Sequence, residues 1–89
     1  MVAKHVIFTG QVQGVGFRFT AHRMAGRHQL TGFVRNLSDG SVEMLAQGSA
    51  DDIEQCISDI RESFPGHVQE VAVNDVPIDP KRTDFRITF

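Results

Sequence analysis

Arg18 closes a glycine-studded run, Gly10-Gln11-Val12-Gln13-Gly14-Val15-Gly16-Phe17-Arg18, set between a strand-like and a helix-like segment. A cation at a helix start faces the positive end of the helix dipole and is mildly unfavourable there without compensation. Glycines just ahead of that start let backbone N–H groups turn inward and form a concave anion nest. Strand, glycine loop, helix start and guanidinium together describe a socket for one phosphate-like group, and a bound anion would explain the misplaced charge. Its donors would be the backbone amides of Gln13, Gly14, Val15, Gly16 and Phe17, with the Arg18 side chain. Asn36, where a second strand-like segment meets a turn, carries an acceptor and a donor on one stiff side chain, suited to holding a water in a defined direction. A phosphoryl group on Arg18 and a water on Asn36 would set up attack at phosphorus.

These two segments need a scaffold. Lys4 to Val12 is rich in β-branched and aromatic residues and reads as a strand. Phe17, Ala21, Met24 and Ala25 recur at helical spacing and predict an amphipathic helix from Arg18 to about His28. Leu30 to Asn36 reads as a second strand, Asn36-Leu37-Ser38-Asp39-Gly40 as a turn with Gly40 left-handed, and Ser41 to Gln47 as a third strand. Ser49 with Asp52 is helix-start chemistry, and Ile53, Cys56, Ile57, Ile60 and Phe64 mark the apolar stripe of a second helix, stopped by Pro65-Gly66. Val68 to Val76 and Phe85 to Phe89 complete the strands, separated by a loop through Pro77 and Pro80. The order β-α-β-β-α-β plus a short final strand predicts an α+β, ferredoxin-like α/β sandwich. In it an antiparallel sheet carries both helices on one face, and residues 1–89 form a single domain. In this arrangement the first loop and the end of the second strand can meet although they are distant in sequence.

Bulk properties narrow the partners. Hydrophobic content of 40% with seven Phe argues for a folded globule. The formal charge of −2 hides an asymmetry: five basic residues and no acid up to Ser38, then four basic and eleven acidic residues. An acidic chain with a small basic region suits a small anion and not a nucleic acid. The single cysteine, Cys56, cannot form an intramolecular disulfide and points to a reducing compartment, and no apolar run approaches the roughly 18 residues of a membrane span. A cytoplasmic monomer without membrane or nucleic-acid partner is expected. His5, His22, His28 and His67 are dispersed and lack zinc-type spacing, so they are expected at the surface and no metal site or cofactor is expected. Cys56 is expected in the core, and Asp51, Asp52 and Glu54 favour a helix N-terminus.

The run Gly10–Arg18 and the run Gly32-Phe33-Val34-Arg35-Asn36-Leu37-Ser38-Asp39-Gly40-Ser41-Val42 resemble the two signature segments of the acylphosphatases. The similarity extends over nearly the whole chain through length, element order and the closing Phe85-Arg86-Ile87. The resemblance implies hydrolysis of carboxyl phosphates to a carboxylate and inorganic phosphate, the latter also an inhibitor. It matches Arg18 to the family's phosphate-binding arginine, Asn36 to its water-orienting asparagine and Gln13–Phe17 to its cradle of amides. Gln29 departs from the pattern, standing where glycine is common, and is expected at positive φ; Ala21 and Leu37 depart where threonine and a hydroxyl residue are frequent. The chemistry is economical. The carboxylate leaving group has a conjugate acid of pKa about 4 and needs no general acid. A loose phosphoryl-transfer transition state asks for positioning and charge neutralisation, which arginine and amides supply without metal. A catalytically silent anion-binding module would share the socket and differ only in lacking turnover.

Overall fold

The computed structural model describes all 89 residues, Met1–Phe89. Strands β1 (Val2–Gly10), β2 (Thr31–Asn36), β3 (Val42–Gly48), β4 (Val68–Val76) and β5 (Phe85–Thr88) form one sheet in the order β4-β1-β3-β2-β5. Helices α1 (Phe17–Arg27) and α2 (Ala50–Ser63) pack on one face of it. This is the ferredoxin-like α+β sandwich that the order of elements predicts. The sheet departs from a wholly antiparallel one at its edge, where β5 pairs parallel to β2. The cause is geometric: β4 lies on the far edge and runs antiparallel to β1. The chain crosses the end of the sheet through residues 77–84 and returns in the direction of β1 and β2.

Strand alternation separates the two faces. Val6 and Phe8 of β1, Val42, Met44 and Ala46 of β3, and Val34 of β2 are fully buried beneath the helices. Burying one such side chain contributes roughly 1.5–3 kcal/mol. From above, Phe17, Ala21, Met24 and Ala25 of α1 and Ile53, Cys56 and Ile60 of α2 close the core. Burial pushes the Cys56 thiol up to about 12, with the nearby Asp59 carboxylate adding to the effect, so this sulfur is packing material and not a nucleophile. No helix is long and apolar enough to cross a membrane.

The first strand begins and ends earlier than its composition suggests. The ladder shifts between Thr9 and Gly10, and Gly10, at φ 123°, turns the chain out of the sheet. Val12 therefore belongs to the following loop, yet its side chain still reaches the core and is 1% exposed. The histidines also depart from a uniform surface placement. His22 is exposed, but His5 pairs with Glu43 at 2.8 Å and the half-buried His28 pairs with Asp59 of α2 at 2.8 Å, joining the end of α1 to α2. The His28 hydrogen bond, with a second from Gln55, holds the Asp59 carboxyl below its usual range.

The end of α1 explains Gln29. Leu30 N–H bonds to the Ala25 carbonyl at 3.0 Å and Gln29 N–H to the Gly26 carbonyl at 3.2 Å, the paired bonds of a Schellman motif. That motif needs a left-handed residue at its turning point, and Gln29 supplies it at φ 57°. A non-glycine residue there costs roughly 1–2 kcal/mol, partly offset because it restricts the unfolded chain. Gln29→Gly should therefore stabilise the fold by about 0.5–1 kcal/mol and raise Tm by a few degrees. Thermal unfolding of the two proteins checks this, and an unchanged or lower Tm would contradict it.

Candidate active site

The loop that leaves β1 turns at Gly14 (φ 76°) and Gly16 (φ 77°), with Val15 between them. Alternation of this kind aims successive N–H groups into one concavity. Gly16 caps α1 in a left-handed conformation and offers no side-chain hydrogen bond, and the first turn of α1 holds no acid. After Gln11, whose N–H bonds to the His67 carbonyl at 2.8 Å, the next amide to find a backbone acceptor is that of Thr20, bonded to the Gly16 carbonyl at 3.1 Å. Those of Gln13 to Phe19 have none. Helix α2 is built in the opposite way: the Ser49 hydroxyl accepts from Asp52 N–H at 3.0 Å, and Asp51 and Asp52 occupy its first turn. One helix has its dipole compensated internally, and the other leaves it uncompensated.

Arg18, Gly14, Gly16, Phe17 and Asn36 line one small cavity of about 110 Å³, together with Val12 and Phe19. The two distant segments therefore meet. Arg18 is held from behind by the edge strand: its Nη1 donates to the Thr88 carbonyl at 3.2 Å, and its guanidinium lies 4.6 Å from the centre of the Phe89 ring. Phe17, the first residue of α1, is 2% exposed and anchored between the Phe8 and Phe64 rings, each 5.0 Å away. Asn36 pairs with Val42 and shares its face of the sheet, the helix face. Its Oδ1 is buried without a hydrogen-bond partner. A buried acceptor of this kind is costly unless something donates to it, and Asn36 is among the residues that line the cavity with Arg18.

Two of the expected socket residues do not line this cavity. Val15 is 38% exposed at the outer turn of the loop. Gln13 turns its side chain the other way, and Nε2 donates to the Leu37 carbonyl at 2.7 Å and the Ser41 carbonyl at 2.9 Å. Those carbonyls flank the turn that follows Asn36, so Gln13 staples the loop to the hairpin. Composition gave no sign of this role, because a glutamine in a glycine loop is ordinary. The hairpin is further tightened by Asp39, whose carboxylate accepts from Ser41 N–H and Oγ and is held below its usual range by those two bonds. Arg35, adjacent to Asn36, lies on the opposite face of the sheet, paired with Glu43 and 5.7 Å from the Phe33 ring centre, away from the cavity. Burial raises the Glu43 pKa, but hydrogen bonds from His5 and Arg35 outweigh it and the net shift is downward. Nowhere do three His, Cys, Asp or Glu side chains gather into a metal-holding group.

Phe19 and the Thr88–Phe89 support of Arg18 escape a motif reading. Phe19 left one trace in the sequence: it is the aromatic residue of α1 that falls off the stripe of Phe17, Ala21, Met24 and Ala25. The Gln13 staple makes a measurable prediction. Gln13→Ala removes two hydrogen bonds, although the Leu37 and Ser41 carbonyls still accept from the Gly40 and Leu37 N–H groups, so at about 0.5–1.5 kcal/mol for each bond it should cost about 1–3 kcal/mol of stability. Urea unfolding measures this, and a change below about 0.5 kcal/mol would mean that the staple is decorative.

The acylphosphatase family model matches residues 4–87. The chain is 44% identical over 79 residues to an acylphosphatase of Bifidobacterium longum, covering 88% of this chain and 81% of that one. It is 38% identical over 92 aligned positions to an acylphosphatase of Alcanivorax borkumensis, covering 99% and 100%. The crystal structure of acylphosphatase from Bacillus subtilis matches with a TM-score of 0.91 at 30% identity over 100% of both chains. With both signature segments meeting at one cavity and the match running almost end to end, the chain belongs to the acylphosphatase family, hydrolases of acyl phosphates.

Proposed function

We propose that the single domain hydrolyses carboxyl phosphates without a metal ion. The phosphoryl group is held by the Arg18 guanidinium and the amides around Gln13–Phe17, and water is directed by Asn36. The observation that carries this reading is that Asn36, whose side-chain oxygen has no hydrogen-bond partner, lines the same cavity as Arg18. An amide oxygen in that position accepts a hydrogen bond from water, which keeps that proton, and turns the water's lone pair toward the socket. The water oxygen bonds to phosphorus as the bond from phosphorus to the carboxylate oxygen breaks. The carboxylate departs as the anion, and the water's second proton passes to a phosphoryl oxygen. Because carboxylate is already a good leaving group, the protein's task is to hold three oxygens and stabilise the charge spread over them. An arginine and a helix N-terminus without acidic or side-chain compensation suit that task. Product phosphate fits the same socket and inhibits competitively. The chain acts as a cytoplasmic monomer in this reading, in keeping with its one buried thiol and acidic balance.

Binding and attack are separable by two variants. Arg18→Gln loses a charge-assisted contact of about 2–3 kcal/mol, so kcat/KM should fall roughly 30- to 150-fold and phosphate inhibition should weaken in step. Asn36→Ala touches the nucleophile and not the bound charge, so kcat should fall about 100-fold or more while the phosphate inhibition constant stays within about twofold. A folded Asn36→Ala protein with near-normal kcat would remove Asn36 from the mechanism. A separate test addresses metal: turnover should persist after exhaustive EDTA treatment, and loss restored by zinc or magnesium would overturn the metal-free reading.

A further inference from the structure

Two polar residues are buried in the fold, Ser41 and Gln47. Ser41 belongs to the turn after Asn36, where its hydroxyl donates to the Asp39 carboxylate. Gln47 stands at the opposite end of β3 from Val42, the partner of Asn36, on the sheet face turned away from the helices. Its amide is fully bonded. Oε1 accepts from Asp79 N–H at 2.6 Å, and Nε2 donates to the Asp79 carbonyl at 3.0 Å and to Thr31 Oγ1 at 3.3 Å. Gripping both the N–H and the C=O of one residue fixes the orientation of the backbone as well as its place, as a strand partner would.

Asp79 is in turn the hub of the 77–84 crossover. Its carboxylate accepts from Lys81 N–H at 3.0 Å and its carbonyl from Arg82 N–H at 3.2 Å. Arg82 lays its guanidinium 5.1 Å from the centre of the Phe33 ring of β2, and Gly32 N–H bonds to the Asp84 carbonyl at 2.9 Å. Strand β5 follows directly and pairs for only four residues at the edge of the sheet, in the parallel geometry that is the weaker of the two. So short a strand takes its register from the crossover that delivers it. Beyond it the Thr88 carbonyl and the Phe89 ring back the Arg18 guanidinium. The clamp on Asp79 therefore reaches Arg18 along one continuous stretch of chain.

We propose that Gln47 is a positioning residue for phosphate binding: by clamping Asp79 it sets the register of β5, and so the aim of Arg18, from the end of the sheet remote from the cavity. This rests on Arg18 holding the phosphoryl group. A guanidinium with loosened backing keeps its charge but must be ordered when the anion binds, so affinity falls for substrate and product phosphate alike. The loss enters kcat/KM and the phosphate inhibition constant together, and it requires Arg18 to be present.

The test follows acetyl phosphate hydrolysis and its inhibition by inorganic phosphate in the wild type, Gln47→Leu, Arg18→Gln and the double variant, each well below its own Tm. Gln47→Leu should lower kcat/KM about fivefold and raise the phosphate inhibition constant about fivefold, the worth of one hydrogen bond. In the Arg18→Gln background the same substitution should change neither constant by more than about twofold, although Tm falls as before. Arg82→Ala, at a side chain 32% exposed, loosens the second mooring without leaving a buried group unpaired, and decides the matter if Gln47→Leu does not fold. It should move both constants the same way, by about threefold, again only where Arg18 is present. A lower Tm with both constants at wild-type values, or equal losses with and without Arg18, would reduce Gln47 to a stabilising residue and overturn its positioning role alone. Arg18→Gln kinetics like those of the wild type would overturn the socket and this inference with it.

Discussion

One side-chain amide joins the two halves of the site. The loop before α1 and the turn after β2 belong to different supersecondary units, and strand pairing alone leaves their relative position loose. Gln13, donating to the carbonyls on both sides of the Asn36 turn, fixes it. Its bonds are to backbone, so they constrain the path of the hairpin itself and not one rotamer upon it. Arg18 receives a comparable restraint from the other side, through the Thr88 carbonyl and the Phe89 ring. Three segments remote in sequence thus converge at one end of the sheet. A phosphoryl-binding geometry needs this, since a displacement of an ångström there costs much of the advantage of positioning.

The two helices show what the site costs. Helix α2 satisfies its own N-terminus with a serine cap and two acids, and α1 does neither. A designer seeking stability would correct α1 by replacing Gly16 with a capping residue and adding an acid. Either change would occupy the amides that the proposed socket offers to an anion. Local rules are broken at this one terminus and kept at the other, the pattern expected where function and not stability sets the residues.

Much of this was legible in the sequence. Hydrophobic periodicity marked both helices because each buries only one side, β-branched and aromatic content marked the first strand, and the family pattern placed Gln29 at positive φ. Glycine spacing beside Arg18 located the anion loop, since positive φ is hard to obtain otherwise. Register was harder: at the bulge Gly10 pairs with Val68 and the following Gln11 N–H bonds to the His67 carbonyl, partners remote in sequence. The parallel edge followed from the path of residues 77–84, which no local pattern encodes. The Gln13 staple and the Thr88 acceptor were invisible for the same reason, being side chain-to-backbone bonds whose partners emerge only from the assembled sheet. The neighbours Arg35 and Asn36 resemble each other as polar residues of one strand, and only the pleat sends one to the cavity and the other to the opposite face.

The edge strand β5 has a temporal meaning as well as a spatial one. It is the last element in sequence order, and it pairs with a strand made much earlier. During synthesis the anion loop and the Asn36 hairpin exist well before Thr88, so the guanidinium lacks its backing until the final strand docks. A nascent chain with its core largely formed would still hold a loosely aimed arginine. Maturation of the proposed catalytic geometry is thereby tied to docking of the strand that is made last, and enzymatic competence becomes a late reporter of folding.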